Sequence, residues 1–242
     1  MKEALDKGGE IMGIELFNKL NTLPVITWRW LKINDVNVKG VNLPNIVEYK
    51  KSYLEQCNLK DIVIKEMRPI VRTNDKLQKY FEVKESFGVN KELVELGEKL
   101  PNTGLFLHVP EGIKVKEVVK LNYELDIENP IVIDNNLIIA EENSEVTVVI
   151  DFTNSDNSET FHNGVTKVYA KDNSLVNVIK IQRMNDFSHH FDSNIAFEGY
   201  GARVNWISVE LGAINSITNI ITNLDENTSE SNLDAIYFGD GE

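Results

Sequence analysis

The chain has 242 residues, 42% apolar and 26% charged, the composition of an ordinary globular protein with enough length to bury a sizeable core. Asp and Glu number 38 against 25 Lys and Arg, and a formal charge of -13 repels phosphate backbones and anionic headgroups, so neither nucleic acid nor a membrane surface is an expected partner. The single cysteine, Cys57, excludes an internal disulfide and any multi-thiolate metal site, and with no run of about 20 apolar residues and no apolar stretch in MKEALDKGGEIMG, a cytoplasmic setting is expected.

In chain order, Ile14, Phe17 and Leu20 lie on one face of a short helical pattern that ends at the turn-prone Asn21 to Pro24. Trp28 and Trp30 follow, separated by one residue and therefore on different faces, which predicts a packing anchor for this segment. The run Ile62-Val63-Ile64 predicts a strand within Asp61 to Met67. Asn74 to Phe87 reads as a helix capped by Asn74 or Asp75. Leu93, Leu96 and Leu100 predict a second helix over Asn90 to Leu100, stopped by Pro101. Past Pro101, β-branched runs broken by Asn, Asp, Gly and Ser replace helical spacing. The expected organisation is a small mixed α/β region over residues 1–100 and a β domain over 101–242.

Self-similarity within the second half is the most informative signal. Ser144, Ser174, Ala202 and Ser229 occupy equivalent small-residue corners, each opening a strand-like run, as in Ser144-Glu145-Val146-Thr147-Val148 and Ser174-Leu175-Val176-Asn177-Val178. The steps are 174−144 = 30, 202−174 = 28 and 229−202 = 27. Each step holds two runs, such as Gly164 to Tyr169 and Val176 to Gln182, joined by a tight corner and closed by a longer polar loop such as Asn154 to Glu159. One such unit cannot bury its apolar face alone, whereas stacked copies form a continuous core. The fold class this predicts is mainly β, a right-handed parallel β-helix. A β-sandwich competes, since short strands between turns describe that class too; against it, the copies align as single corners at fixed phase.

The stretch Asn102-Thr-Gly-Leu-Phe-Leu-His-Val-Pro-Glu-Gly-Ile-Lys-Val115 resembles the first coil of the SufD/SufB family of iron–sulfur cluster assembly proteins. Leu137 to Val148, Phe161 to Val168, Val178 to Gln182 and Tyr237 to Asp240 are similar to successive family coils in the same order, while Leu23-Pro24 followed by Trp28-Arg29-Trp30 resembles the N-terminal segment of the SufD branch. The resemblance implies a non-catalytic scaffold that pairs through its β-helix with a SufB-like paralogue, or with itself, and joins an ABC-type ATPase, SufC. It implies no cofactor on this chain alone, an iron–sulfur cluster being expected only in the complex. The family pattern continues past Tyr237-Phe238-Gly239-Asp240 through late coils, a Ser-His-Gly-Ala-Thr-like motif and a helical segment that docks the ATPase. This sequence stops at Glu242, which fits either a fragment or a shortened product and leaves SufC docking open.

Candidate chemistry is sparse. Cys57 has Glu55 and Asp61 nearby and only Lys60 to favour a thiolate, so an inert, structural thiol is expected. His162 and His190 are 28 residues apart, close to one coil, and a metal shared by them with Asp192 is the sharp hypothesis; ordinary polar surface or loop residues are the expectation. Asp186 and Asp192 flank the adjacent pair His189-His190, whose side chains point to opposite faces of a strand. His108, beside Val109-Pro110, is expected to pack through a hydrogen bond. No Walker loop, Rossmann fingerprint, nucleophile elbow or HExxH pair is present. A carbohydrate-active β-helix enzyme is the alternative function; it needs carboxylates and cations together in a cleft, and the repeats offer only Arg183 and Arg203 among arginines.

Overall fold

A computed structural model describes residues 16, 17, 20, 38, 41, 43–51, 53, 54, 61–67, 77–81 and 83–239. Their elements are β1 (Val63–Glu66), α1 (Gln78–Phe81), α2 (Lys91–Lys99), β2 (Leu105–Val109), β3 (Val119–Leu125), β4 (Ile131–Ala140), β5 (Glu145–Asn154), β6 (Phe161–Ala170), β7 (Leu175–Arg183), β8 (His189–Glu198), β9 (Arg203–Glu210), β10 (Asn215–Asn223) and β11 (Glu230–Tyr237). The strands form two sheets, β1-β2-β4-β6-β8-β10 and β11-β9-β7-β5-β3. Successive strands alternate between the sheets, so β2/β3, β4/β5, β6/β7, β8/β9 and β10/β11 make five stacked coils. Every pairing between coils is parallel; β1 alone adds to its sheet antiparallel, against β2. The fold is a parallel β-helix, and the sandwich alternative is excluded by the strand direction.

The register follows the corner spacing. Glu145, Leu175, Arg203 and Glu230 are direct neighbours across β5, β7, β9 and β11, at the same steps of 30, 28 and 27 as the corners that precede them. At each corner the preceding residue takes a left-handed backbone: Asn143 (φ 58), Asn173 (φ 56), Gly201 (φ 62) and Thr228 (φ 59). Asn and Gly tolerate that conformation, whereas a β-branched threonine is strained in it. The corner N–H then bonds three residues back, Ser144 to Glu141 and Ser174 to Lys171, and each serine hydroxyl repeats the bond to the same carbonyl. The corner is thus closed twice, which explains serine at the repeat position.

Between the sheets, Leu121, Tyr123, Ile138, Val146, Val148, Ile150, Val176, Val178, Val204 and Trp206 pack into one core. The two sheets differ on their outer faces. Strands β3, β5 and β7 alternate buried with less buried residues, while β4 is buried at all ten positions and β6 and β8 at nine of ten. The cause is a cover of N-terminal residues over the six-stranded sheet. Val89, Leu93 and Leu96 meet Ile131, Ile133, Phe161 and Phe191, and Val94 meets Val165 and Ile195. Helix α2 lies so close that a Cβ on Gly97 would stand 2.4 Å from Val165 Cγ2. Asn90 starts it as N-cap, accepting the Leu93 N–H at 2.8 Å, and buried Lys167 fixes its far end through Glu98 at 2.5 Å.

The helix expected over Asn90 to Leu100 and the strand around Ile62 to Ile64 are present. The helix expected over Asn74 to Phe87 is shorter: α1 ends at Phe81, and residues 83–87 are irregular, because Val83 and Phe87 turn down to pack on Val165 and Ile195 instead of continuing the helical face. Leu16 and Phe17 are buried against the sheet; the rest of the Ile14 to Leu20 pattern, Asn74, Asp75, Trp28, Trp30 and Cys57 fall outside the described residues, apart from Leu20.

Candidate functional site

Strand periodicity decides what lines the interior. On β4, β6 and β8 the even-numbered side chains point between the sheets: Val132, His162 and His190 form one column, Asp134, Gly164 and Asp192 the next, and Asn136, Thr166 and Asn194 a third. On the facing sheet Lys180, Gln182, Ser208 and Glu210 continue the inward positions of β7 and β9. Inward ionisable groups thus stand on β4, β7, β8 and β9 and at His162 on β6, where β3 and β5 carry Leu121, Tyr123, Ile150 and Phe152.

These side chains form two linked chains of hydrogen bonds. His162 and His190 are stacked, ring centroids 4.4 Å apart, with their Nδ1 atoms at 2.8 Å. His162 Nε2 lies 2.6 Å from Asp134 Oδ1, and both residues are fully buried. Asn136 accepts the Leu105 N–H at 3.0 Å through its amide oxygen, so its NH₂ is left to donate to Asp134 Oδ2 and to Thr166 Oγ1. Thr166 Oγ1 also accepts from Lys180 Nζ at 2.9 Å. Lys180 Nζ donates to both oxygens of Asp192 at 2.8 Å, and Asn194 donates to Asp192 Oδ2 at 3.0 Å. At the other end, His190 Nε2 faces Glu210 Oε2 at 3.9 Å. Glu210 accepts from Ser208, Thr218 and Ser216 at 2.8 to 2.9 Å and is the member nearest solvent, its side chain 17% exposed.

Gly164 makes this crowding possible, since a Cβ there would lie 2.5 Å from Asp192 Oδ1 and 3.0 Å from His162 Cε1. The electrostatics follow from burial. Desolvation, with His162 alongside, lowers the His190 pKa to about 4. Burial by itself would raise Asp192, but Lys180 and the neighbouring imidazoles hold it at about 2. A separate carboxyl, Glu198, stands in the interior column after Ala140 and Ala170, and burial pushes its pKa up to about 7 against the opposing pull of the nearby Val204 and Glu230 N–H groups.

The structure thus brings His162, His190 and Asp192 together and corrects the expectation that the histidines are surface or loop residues: both face inward because the 28-residue step falls in register. Their contact is a hydrogen bond, and among the described residues no three His, Cys, Asp or Glu side chains form a metal-binding group. His189 points to the other face of β8, as adjacent strand residues must, and its Nδ1 lies 3.1 Å from Asn215 Nδ2. Asp186 is exposed, and His108 bonds Glu141 at 3.0 Å. Arg183 and Arg203 are held in ion pairs with Asp151 and Glu230 on the outer face of the five-stranded sheet, away from the buried carboxylates. Asp134, Lys180 and Glu210 were not singled out from the sequence. The available signal was parity, since all three sit at inward positions of strands, and an interior glycine at Gly164.

Comparison with known proteins places this interior in context. Residues 123–242, from β3 onward, match the family model described as SUF system FeS cluster assembly, SufBD core domain. The chain is also 24% identical over 172 residues to the iron–sulfur cluster assembly protein SufD of Bacillus subtilis (strain 168), an alignment covering 70% of this chain and 39% of that protein. The chain therefore spans about two fifths of the length of this curated relative.

Proposed function

The chain belongs to the SufB/SufD family of the SUF iron–sulfur cluster assembly system, and from that premise we propose that it is a scaffold subunit, acting by pairing with a SufB-like paralogue or a second copy and without turnover of its own. The observation that carries this reading is the coincidence of the family match with the solenoid itself, from Tyr123 in β3 through β11. The cluster is then cargo of the complex, built with a SufC-like ATPase as the energy source.

Strands β10 and β11 are edges of their sheets, and Ile236, Tyr237 and Phe238 are 60%, 63% and 68% exposed. Unpaired strand edges beside exposed apolar side chains are surfaces that another chain or a further coil covers. Size-exclusion chromatography with light scattering tests the proposal. The expected result is a 1:1 complex with a SufB-like subunit, or a homodimer without it, weakened by Tyr237→Lys with Phe238→Lys. A chain that stays monomeric both alone and with the SufB-like subunit overturns it.

A further inference from the structure

We propose that Glu210, His190, His162 and Asp134 form a proton-transfer path along the solenoid interior, from the solvent-facing side of the last coils to a fully buried carboxylate. The inference goes beyond the scaffold reading and does not depend on it. It rests on the order of the groups and on their distances.

The bonding around the imidazoles fixes their tautomers. Asp134 Oδ2 accepts from Asn136, so the carboxylate acts as acceptor, and His162 must donate from Nε2 at 2.6 Å. His162 Nδ1 is then a bare acceptor, and the 2.8 Å contact requires His190 to donate from Nδ1. That leaves His190 Nε2 as a bare lone pair facing Glu210 at 3.9 Å, a gap that one water or a small side-chain rotation closes. The arrangement is thus polarised in one direction. A proton delivered from solvent to the Glu210 carboxylate passes to His190 Nε2, the His190 Nδ1–H bond breaks as its proton moves to His162 Nδ1, and the His162 Nε2 proton moves to Asp134 Oδ1. Each imidazole ends neutral in the opposite tautomer, Glu210 is again a carboxylate, and Asp134 has gained the one proton taken from solvent.

The groups facing the pair are consistent with transient protonation. From the elements packed around it come Asp134 on β4, Phe152 on β5, Lys180 and Gln182 on β7, Asp192 on β8, Glu210 on β9 and Ser216 on β10. Lys180 and Asp192 neutralise each other, so the path itself has a carboxyl group at each end and two imidazoles between. Phe152, with its ring 4.0 Å from His162, seals the side toward the earlier coils. The same fold also builds a ladder without ionisable members: on the outer face of the five-stranded sheet Thr147, Asn177, Asn205 and Asn232 bond side chain to side chain from coil to coil.

Nitrogen-15 NMR of the imidazoles in the intact chain tests the path in two ways. In the wild type, His190 should show a protonated Nδ1 and His162 a protonated Nε2; a protonated Nε2 on resting His190 overturns the proposal without any variant being made. The exchange of the buried His162 Nε2–H with solvent should slow at least tenfold in Glu210→Gln and stay unchanged in Glu198→Gln, an interior carboxyl off the path. Equal exchange rates in Glu210→Gln and wild type, or zinc binding that replaces the proton shared by the two Nδ1 atoms, would likewise overturn it.

Discussion

Replacing Lys180 by Met is the sharpest test of how the interior is held. Methionine keeps the length and apolar stem of the lysine and removes only the ammonium group. Asp192, 1% exposed, then keeps one side-chain donor, Asn194, where it had three contacts. Removing one partner of a buried ion pair costs about 3–5 kcal/mol, and two charge-assisted hydrogen bonds at roughly 1.5–3 kcal/mol each give the same range. With a urea m-value of roughly 3 kcal/mol/M for a chain of this size, the unfolding midpoint should fall by about 1–1.7 M.

The pH dependence adds a sign. In the wild type the folded-state pKa of Asp192 is depressed to about 2, so its contribution is present above the unfolded value near 3.8 and is lost as pH falls toward 2. Without Lys180, desolvation dominates and the folded pKa rises above the unfolded one. The stability deficit of the variant should therefore be smaller at pH 5 than at pH 8. Adding Asp192→Asn removes the stranded charge and should recover most of the loss. Urea titrations followed by circular dichroism and tryptophan fluorescence measure all three quantities. A Lys180→Met loss below about 1 kcal/mol, or a double variant as damaged as the single, would refute the assignment of a buried, mutually neutralising pair.

Four further outcomes follow from substitutions at three single sites. Glu198→Gln should stabilise the chain by up to about 3 kcal/mol at pH 8 and by little near pH 4.5, because the raised folded pKa of Glu198 gives stability that is complete below 4.5 and lost as pH rises through 7; denaturant midpoints at the two pH values check it. The same variant should expose the opposite trend of His190, whose lowered pKa makes stability fall as pH drops from 6.5 to 4. Asn90→Ala should cost about 1 kcal/mol by removing the N-cap of α2, with amide exchange accelerating first in Leu93 and Val94. Thr228→Gly should raise the thermal midpoint slightly, worth up to about 1 kcal/mol, since it relieves a β-branched residue at φ 59 where the other corners carry Asn or Gly.

The solenoid was legible because its corners are local. Asn143-Ser144 and Asn173-Ser174 encode a left-handed residue followed by a hydroxyl that closes the turn, and such pairs recur at the true coil length whatever lies between them. Helix α2 was legible for a similar reason, since its cap and its leucines lie within eleven residues. The short end of α1 was not, because Val83 and Phe87 leave the helical face for contacts with Val165 and Ile195, 78 or more residues away in sequence (165−87 = 78). The interior network was half legible. The step from His162 to His190 gave the pairing, but Asp134 reaches His162 diagonally, two positions along β4 from its register partner Val132, and no fixed period predicts a diagonal.

The covered sheet explains why the burial of the ionisable groups was hidden. A strand exposed on one face advertises its inward residues by alternation, as Val146, Val148, Ile150 and Phe152 do on β5. On β4, β6 and β8 many of the outward residues, Ile131, Ile133, Phe161, Val165, Phe191 and Ile195 among them, are apolar as well, because helix α2 and its neighbours pack on them, and the inward polar residues then look like interruptions of a strand rather than one face of it. Phe161-His162-Asn163-Gly164-Val165-Thr166 is such a case: Phe161 and Val165 serve the cover, while His162 and Thr166 serve the interior. The N-terminal cover and the polar interior are therefore one structural choice. By burying the outer face of the six-stranded sheet, the cover supplies apolar contacts on one side of each strand that offset the cost of desolvating charges on the other.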